Sequence, residues 1–360
     1  MTQHYKETDG LKYEMEQRML AGKAKQFPTF KSNLIKEFAD VEYILNQKYH
    51  PEVNLGAATH GDGKLTDHGV DHVKMVMDKA NSLLGNKKTE LIGYELYILL
   101  LSIHFHDLGN IYGRNEHEKK IDSVIVDLDE RLPLDTVEKK FVSDIAMAHG
   151  GYNGHFGSPP NNSLDKDTLR NLAVNEPCNS LPVRTVVLAA ILRFADELAD
   201  DFSRAKNIDI HESNKIYHEY SSALEPLIFQ GETISFHYRI PFDLTQKKLK
   251  KGNTTIYLYD EILLRLAKCM RELEYCRRYA NGFINITTFN VKIDVMRKDI
   301  PFKSLGQETF RLRLLGYPSE SIYNLDSFLE TDTTENISGN SKFKNGTSLK
   351  KMARRLATHA

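Results

Sequence analysis

Eight of the chain's 14 histidines (His60, His68, His72, His104, His106, His117, His149 and His155) fall between positions 60 and 155 of 360. An imidazole buried without a partner is costly, so this clustering asks for metal ligands, proton donors or hydrogen-bond partners. Spacing distinguishes them. In LYILLLSIHFHDLGN, Leu96, Leu99, Leu100 and Ile103 sit at i, i+3, i+4 and i+7, and the same stripe next reaches His106 and Asp107. The core-facing ridge of an apolar helix thus ends in an adjacent imidazole and carboxylate, with Gly109 stopping the helix just beyond. Burying both uncompensated would cost several kcal/mol, so they belong to an ion pair or a metal site.

The same pattern recurs. In VVLAAILRFADELADD, Leu188, Ile191, Leu192, Ala195 and Ala199 mark a buried stripe that includes Asp196, and the small alanines leave room for an ion. Over 136–149, Phe141, Ile145 and Ala148 mark the buried side and His149 lies at its C-terminal edge. His72 begins a further stripe of Val73, Val76, Met77, Ala80 and Leu84, closed by Gly85. Four helices each bring a His or Asp to the core or its rim. Neutral imidazole with carboxylate suits Mn, Fe, Ni, Co, Zn or Mg, and no thiol competes.

The order His72, His106-Asp107, His149, Asp196 resembles the HD superfamily of metal-dependent phosphohydrolases, named for that doublet. TDHGVDHVKMV, HFHDLGN and LRFADELADDFSR carry the resemblance, over about residues 60–205. It implies that His72, His106, Asp107 and Asp196 hold a primary divalent metal. The resemblance also prefers His72 to His68, because Val76 follows it four residues on as in the family pattern, which leaves His68 a supporting or loop position. His117 and His149 match places where relatives keep catalytic or second-metal histidines, and Asp107 could then bridge two ions; one ion or two stays open. His104 points away from the stripe and is read as structural.

The implied chemistry is hydrolysis of a phosphate ester or anhydride in a mononucleotide, cyclic nucleotide or short oligonucleotide. A divalent ion lowers the pKa of bound water from about 16 toward 7 and polarises a phosphoryl oxygen. His117 or His149 orients the water or protonates the leaving oxygen, beside Asp107. Arg193 and Arg204 are candidate phosphate contacts, since a guanidinium holds two oxygens at once. Their plainer alternative is an i, i+4 bridge to Glu197 or Asp200. Three rival readings stand: a single-strand nuclease, which needs a basic, aromatic-lined groove; a di-iron oxygenase, as in some relatives; and a nucleotide-sensing or partner-binding module with a structural metal.

The elements that must position these groups point to a mainly α fold, an HD-type helical bundle with a smaller C-terminal α+β domain. Segment 1–50 is helical, with Phe30, Leu34, Phe38 and Val41 at helical spacing; 51–205 forms the metal domain and 206–329 the α+β unit. Residues 330–360 form a Thr/Asn/Ser/Gly-rich tail, expected to be disordered and dispensable, with a short basic helix over 349–356. Helices are predicted over 70–84, 89–107, 116–128, 136–149 and 182–201. The loop GGYNGHFGSPPNNSLDKD either covers the site or merely connects. Ile234, Phe236, Tyr238 and Ile240 alternate as a strand; Ile262, Leu263, Leu266, Met270 and Leu273 share a helix face. A second strand is predicted over 283–295, slipping near residues 287–289 as a bulge would. So small a sheet needs cover, from the helical body or from a second copy of the chain.

Composition narrows the partners. The 48 basic and 49 acidic residues leave a net charge of -1, which argues against a nucleic-acid coat or a polybasic membrane anchor but permits a local basic groove. The run Lys247, Lys248, Lys250, Lys251 is read as a solvated turn; facing the site it would attract a polyphosphate or oligonucleotide. Gly56 to Lys64 lacks phosphate-loop spacing, and Leu65 replaces the needed Ser or Thr. No apolar stretch is long enough to cross a bilayer, the N-terminus lacks signal-peptide order, and three cysteines are too few for a disulfide scaffold. A cytoplasmic enzyme with a nucleotide substrate is the expectation.

Overall fold

A computed structural model of the chain describes residues 10–22, 25–53, 68–113, 116–150, 168–205, 212–297, 303–314 and 345–358. The helical body comprises α1 (Leu11–Leu20), α2 (Leu34–Ile44), α3 (Val70–Leu84), α4 (Gly93–Phe105), α5 (Ile121–Asp127), α6 (Thr136–Met147) and α7 (Thr185–Glu197). Every residue of α4 is buried, so this helix must be central, and α1, α3, α6 and α7 pack around it. Its N-terminus is fixed by Glu95, whose carboxylate accepts from Ile92 N at 2.9 Å and from Arg184 Nε at 2.7 Å. Asp135 and Glu138 form a reciprocal cap on α6.

Leu34, Phe38 and Val41 are buried as expected, whereas Phe30 precedes α2 and is exposed. The predicted helix over 182–201 begins later. Pro182 lies in a short hairpin, β1 (Glu176–Cys178) with β2 (Leu181–Val183), and α7 starts after it at Thr185. The 116–128 helix is likewise shorter, since His117–Lys120 is a 3-10 turn.

The C-terminal unit contains α8 (Lys215–Ala223), β3 (Ile228–Gln230), β4 (Thr233–Pro241), the single turn α9 (Phe242–Thr245) and the hairpin β5 (Leu249–Lys251) with β6 (Thr254–Ile256). The long α10 (Leu258–Tyr279), β7 (Thr288–Met296) and β8 (Ser304–Arg313) follow. Strands β4 and β7 pair in parallel, as a helical crossover through α10 requires, in a sheet of order β3-β4-β7-β8. The predicted alternation in β4 holds, with Ile234, Phe236, Tyr238 and Ile240 buried. The second strand starts at Thr288, not 283. Phe283, Ile284 and Ile286 are buried in the connection that leaves α10, and the irregularity falls at Val295/Met296, not at 287–289. Strand β8 has no counterpart among the expected elements, because an edge strand with only Leu312 buried shows little alternation.

The short basic helix expected over 349–356 is present over a longer span, and its packing corrects the expectation of a disordered tail there. Residues Gly346–Thr358 form α11, which packs on α9, α10 and β8 with Leu349 and Ala353 buried. Gly346 lies flat on the Tyr257 ring, where a Cβ would come within 2.3 Å of the Tyr257 Cβ. The dominant basic residues mask an apolar pair only four positions apart. Deleting residues 345–360 should cost about 2–3 kcal/mol of stability, seen as an earlier urea midpoint; an unchanged midpoint would return this segment to a dispensable tail. None of the described helices is long and apolar enough to cross a membrane.

Candidate metal centre

The end of α4 supplies the doublet. His106 caps the helix and Asp107 opens the 3-10 turn Leu108–Tyr112. Helix C-termini leave carbonyls unpaired, and the imidazoles use them. His106 Nδ1 donates to Ile103 O at 2.7 Å, and His149, just past α6, donates from Nδ1 to Ala146 O at 2.5 Å. Both rings are thereby held with Nε2 aimed inward, the nitrogen a metal would take. His72 enters from the first turn of α3 and Asp196 from the last turn of α7.

These groups converge. His72 Nε2 lies 3.1 Å from Asp196 Oδ1 and 3.3 Å from His106 Nε2; His106 Nε2 is 3.5 Å from Asp196 Oδ1. Asp107 Oδ2 stands 3.5 Å from both imidazoles. Its other oxygen faces away from this group: Oδ1 is 3.3 Å from His117 Nε2 and 3.9 Å from His149 Nε2, which are 3.3 Å apart. Ligands about 2.1 Å from a common ion sit about 3.0–3.4 Å from one another, so the inner set His72, His106, Asp196 and the outer set Asp107, His117, His149 both have suitable spacing. A third trio, His68, His72 and Asp107, overlaps the first. In it, however, Arg204 donates to His68 Nδ1 at 2.7 Å, and that nitrogen is 3.7 Å from Asp107. With Nδ1 engaged by Arg204, His68 is a neighbour of Asp107 and not a third ligand of that trio.

The electrostatics call for a cation. Burial opposes charge on all these groups, yet His106, His117 and His68 hold Asp107 well below the usual carboxylate range, and bonds from His106 and His72 do the same for Asp196. Against its own burial, His106 is pushed up to about 9 by Asp107 and Asp196. Burial and then the charges of His106 and His117 push His149 down to about 3; burial and Arg204 lower His72. His72 Nδ1 is buried without a hydrogen-bond partner. A proton on His106 does the work a divalent ion does better, and the residues fit such an ion. Metal must displace that proton, so apparent affinity should rise with pH up to about 9 and binding should release protons, by up to about tenfold per pH unit. Calorimetric titration in buffers of differing ionisation heat checks this; pH-independent affinity would contradict it.

Among the described residues the centre is most open at Asp196 and His117, whose side chains are 28% and 18% exposed against 2% and 0% for His72 and His106. Two supporting residues escaped the reading from sequence. Asn110 Nδ2 donates to Asp107 Oδ1 at 2.9 Å, and Glu118 Oε2 lies 3.4 Å from His117 Nδ1. Gly109 does more than stop a helix: a Cβ there would fall 1.9 Å from His117 O. Gly109→Ala should displace His117 and lower metal content at the outer set while sparing the inner; full occupancy by elemental analysis would refute this. His104 packs on Phe38 and His50, near Glu42, away from the centre. His60, His155 and the loop 151–167 lie outside the described residues.

Arg193 is a correction. It is 3% exposed and donates from Nε and Nη2 to Glu272 at 2.8 and 3.1 Å and from Nη1 to Thr168 Oγ1 at 2.9 Å, with its guanidinium on the Tyr275 ring. A guanidinium so engaged is not a phosphate contact, nor does it pair with Glu197, which Lys268 takes at 2.6 Å. Asp200 in turn pairs with Arg265 at 3.2 Å, so three ion pairs join the α7 region to α10 on either side of Asp196. Arg193 Nη1 also reaches Gly150 O, and Thr168 Oγ1 is 3.0 Å from both Ala148 O and Gly150 O. The backbone on each side of His149 is thus clamped. Arg204 alone keeps a place beside the centre, through His68.

Helices that bring His72, His106-Asp107, His149 and Asp196 to one point define an HD-type domain. The profile of the HD-CE family matches residues 62–266, more than half of the chain, and the chain belongs to that family. Searches of curated proteins and of solved structures return no match. The family match runs past residue 205 through β4 and into α10, further than the motifs extend.

Proposed function

We propose that this chain is a metal-dependent phosphohydrolase or phosphodiesterase acting on a nucleotide. The observation that carries this reading is one carboxylate, Asp107, presenting its two oxygens to two separate histidine-containing sets. A divalent ion bound there supplies an acidified water and positive charge beside the phosphoryl oxygens. The chain's own residues supply the rest. His106, His72 and Asp196 anchor, with Asn110 holding Asp107 in plane between the sets. His149 commits Nδ1 to Ala146 and offers only Nε2, which suits a ligand. His117, more exposed and flanked by Asp107 and Glu118, is the better group to hand a proton to the leaving oxygen. Arg204 adds positive charge on the opposite side, by the Oδ2 of Asp107, through His68.

The test is metal removal and return. Protein stripped by chelation should melt lower, regain stability with one or more of Mn, Fe, Ni, Co, Zn or Mg, and release phosphate or nucleoside monophosphate from mononucleotides, cyclic nucleotides or short oligonucleotides. Metal without turnover on any class would leave a sensing module with a structural ion. Neither metal nor a melting shift would overturn the site itself.

A further inference from the structure

Two basic segments about a hundred positions apart meet on one surface of the C-terminal unit. Lys247, Lys248 and Lys250 are exposed around the start of the β5–β6 hairpin, and Lys351, Arg354 and Arg355 are exposed on α11, with Lys350 half-buried beside them. They are brought together by Tyr257: Lys248 Nζ lies 5.5 Å and Lys350 Nζ 5.9 Å from the centre of its ring. Arg354 Nε donates to Gln246 Oε1 at 2.6 Å, a neutral partner that leaves its charge uncompensated. Among the described residues, Lys247, Lys248, Lys250, Lys350 and Lys351 form no ion pair.

Two carboxylates lie near the patch without forming ion pairs with it, Asp260 by Lys248 and Glu219 by Lys247, and they offset only part of its charge. Asp260 Oδ1 accepts from Gly346 N at 2.6 Å, and Glu261 pairs with Lys251 at 2.6 Å and Arg265 at 3.1 Å. The chain as a whole is balanced at -1, so this local excess does not follow from composition. Like charges gathered on one face repel unless an anion lies across them.

We propose that this face binds the sugar–phosphate backbone of a nucleic-acid strand, independently of the metal centre. The cations are spread along a helix and a hairpin, which suits a linear polyanion better than a compact phosphate. Lipid fits less well: an amphipathic helix binds a bilayer through its apolar face, and here Leu349 and Ala353 are buried against the protein. Tyr257 is covered by the two lysines and is not offered to stacking bases. Recognition is therefore of backbone charge without sequence preference.

The full chain, with EDTA present so that metal-dependent contacts do not contribute, would be titrated against a labelled single-stranded DNA oligonucleotide over a salt series. Log affinity should fall linearly with log salt. Replacing Lys247, Lys248, Lys250, Lys350 and Lys351 by Gln should weaken binding more than about tenfold and reduce the slope by about 3, while Lys→Arg at the same positions should preserve both. Each segment neutralised alone should give part of the loss, and melting should be unchanged. Gln variants that bind like the native chain would overturn the proposal, as would a native chain that does not bind. Capture by phosphatidylserine–phosphatidylcholine vesicles in place of the oligonucleotide would overturn it in favour of a membrane surface. Should the fivefold variant melt early, the two segment variants carry the test.

Discussion

Asp107→Asn should leave a protein that holds neither ion and has no measurable turnover, whereas His117→Ala should keep the inner ion and lose turnover by about 100-fold or more. The asymmetry follows from geometry. Asp107 alone faces both sets, and its neutral amide cannot supply the charge that holds His106 protonated in the metal-free state. His117 touches only the outer oxygen and lies at the open side. Elemental analysis with single-turnover assays separates the two. If His117→Ala empties the inner set as completely as Asp107→Asn does, the division into an anchoring set and a proton-handling set is wrong.

Glu272→Ala should be among the most damaging changes away from the centre. It strands the Arg193 guanidinium in a site where both partners are nearly fully buried, at a cost of about 3–5 kcal/mol. The expected readout is a large fall in melting temperature together with weaker outer metal binding, because the same guanidinium steadies Gly150 and Thr168 around His149. Replacing both Arg193 and Glu272 with Leu should recover much of the stability but not the outer ion, which distinguishes a lost charge pair from a lost clamp. A double variant as unstable as Glu272→Ala would show that packing around Tyr275, not the pair, sets the stability.

The helical body was legible from its long apolar runs, and His106-Asp107 and Asp196 stood out because each is a polar group closing a helix that is otherwise almost wholly apolar and buried. The spacing of Leu96, Leu99, Leu100 and Ile103 did not fix their facing, since the helix is buried on all sides. What was not legible depends on distant partners. The neighbourhood of Arg193 contains Glu197 at helical spacing, yet its acid is Glu272 in another unit. Gly109 reads as a stop, while its requirement comes from the carbonyl of His117 folding back on it. Strand β8 escaped, and the C-terminal helix α11 was expected but without its packing, for a shared reason. Each offers the core only one or two apolar side chains among many charges, so periodicity is faint and only tertiary cover makes them form.

The shared carboxylate has a consequence for how the centre fills. Two dications bridged by one group sit about 3.5–4 Å apart and repel, and the first to bind withdraws charge from the oxygen the second needs. The inner set has Asp196 of its own, whereas the outer has only the remaining oxygen of Asp107 beside two imidazoles. Were both sets to take an ion, filling would be sequential and anticooperative. A one-ion species would then persist over a wide range of free metal, and the supply of metal around the chain would set its working state.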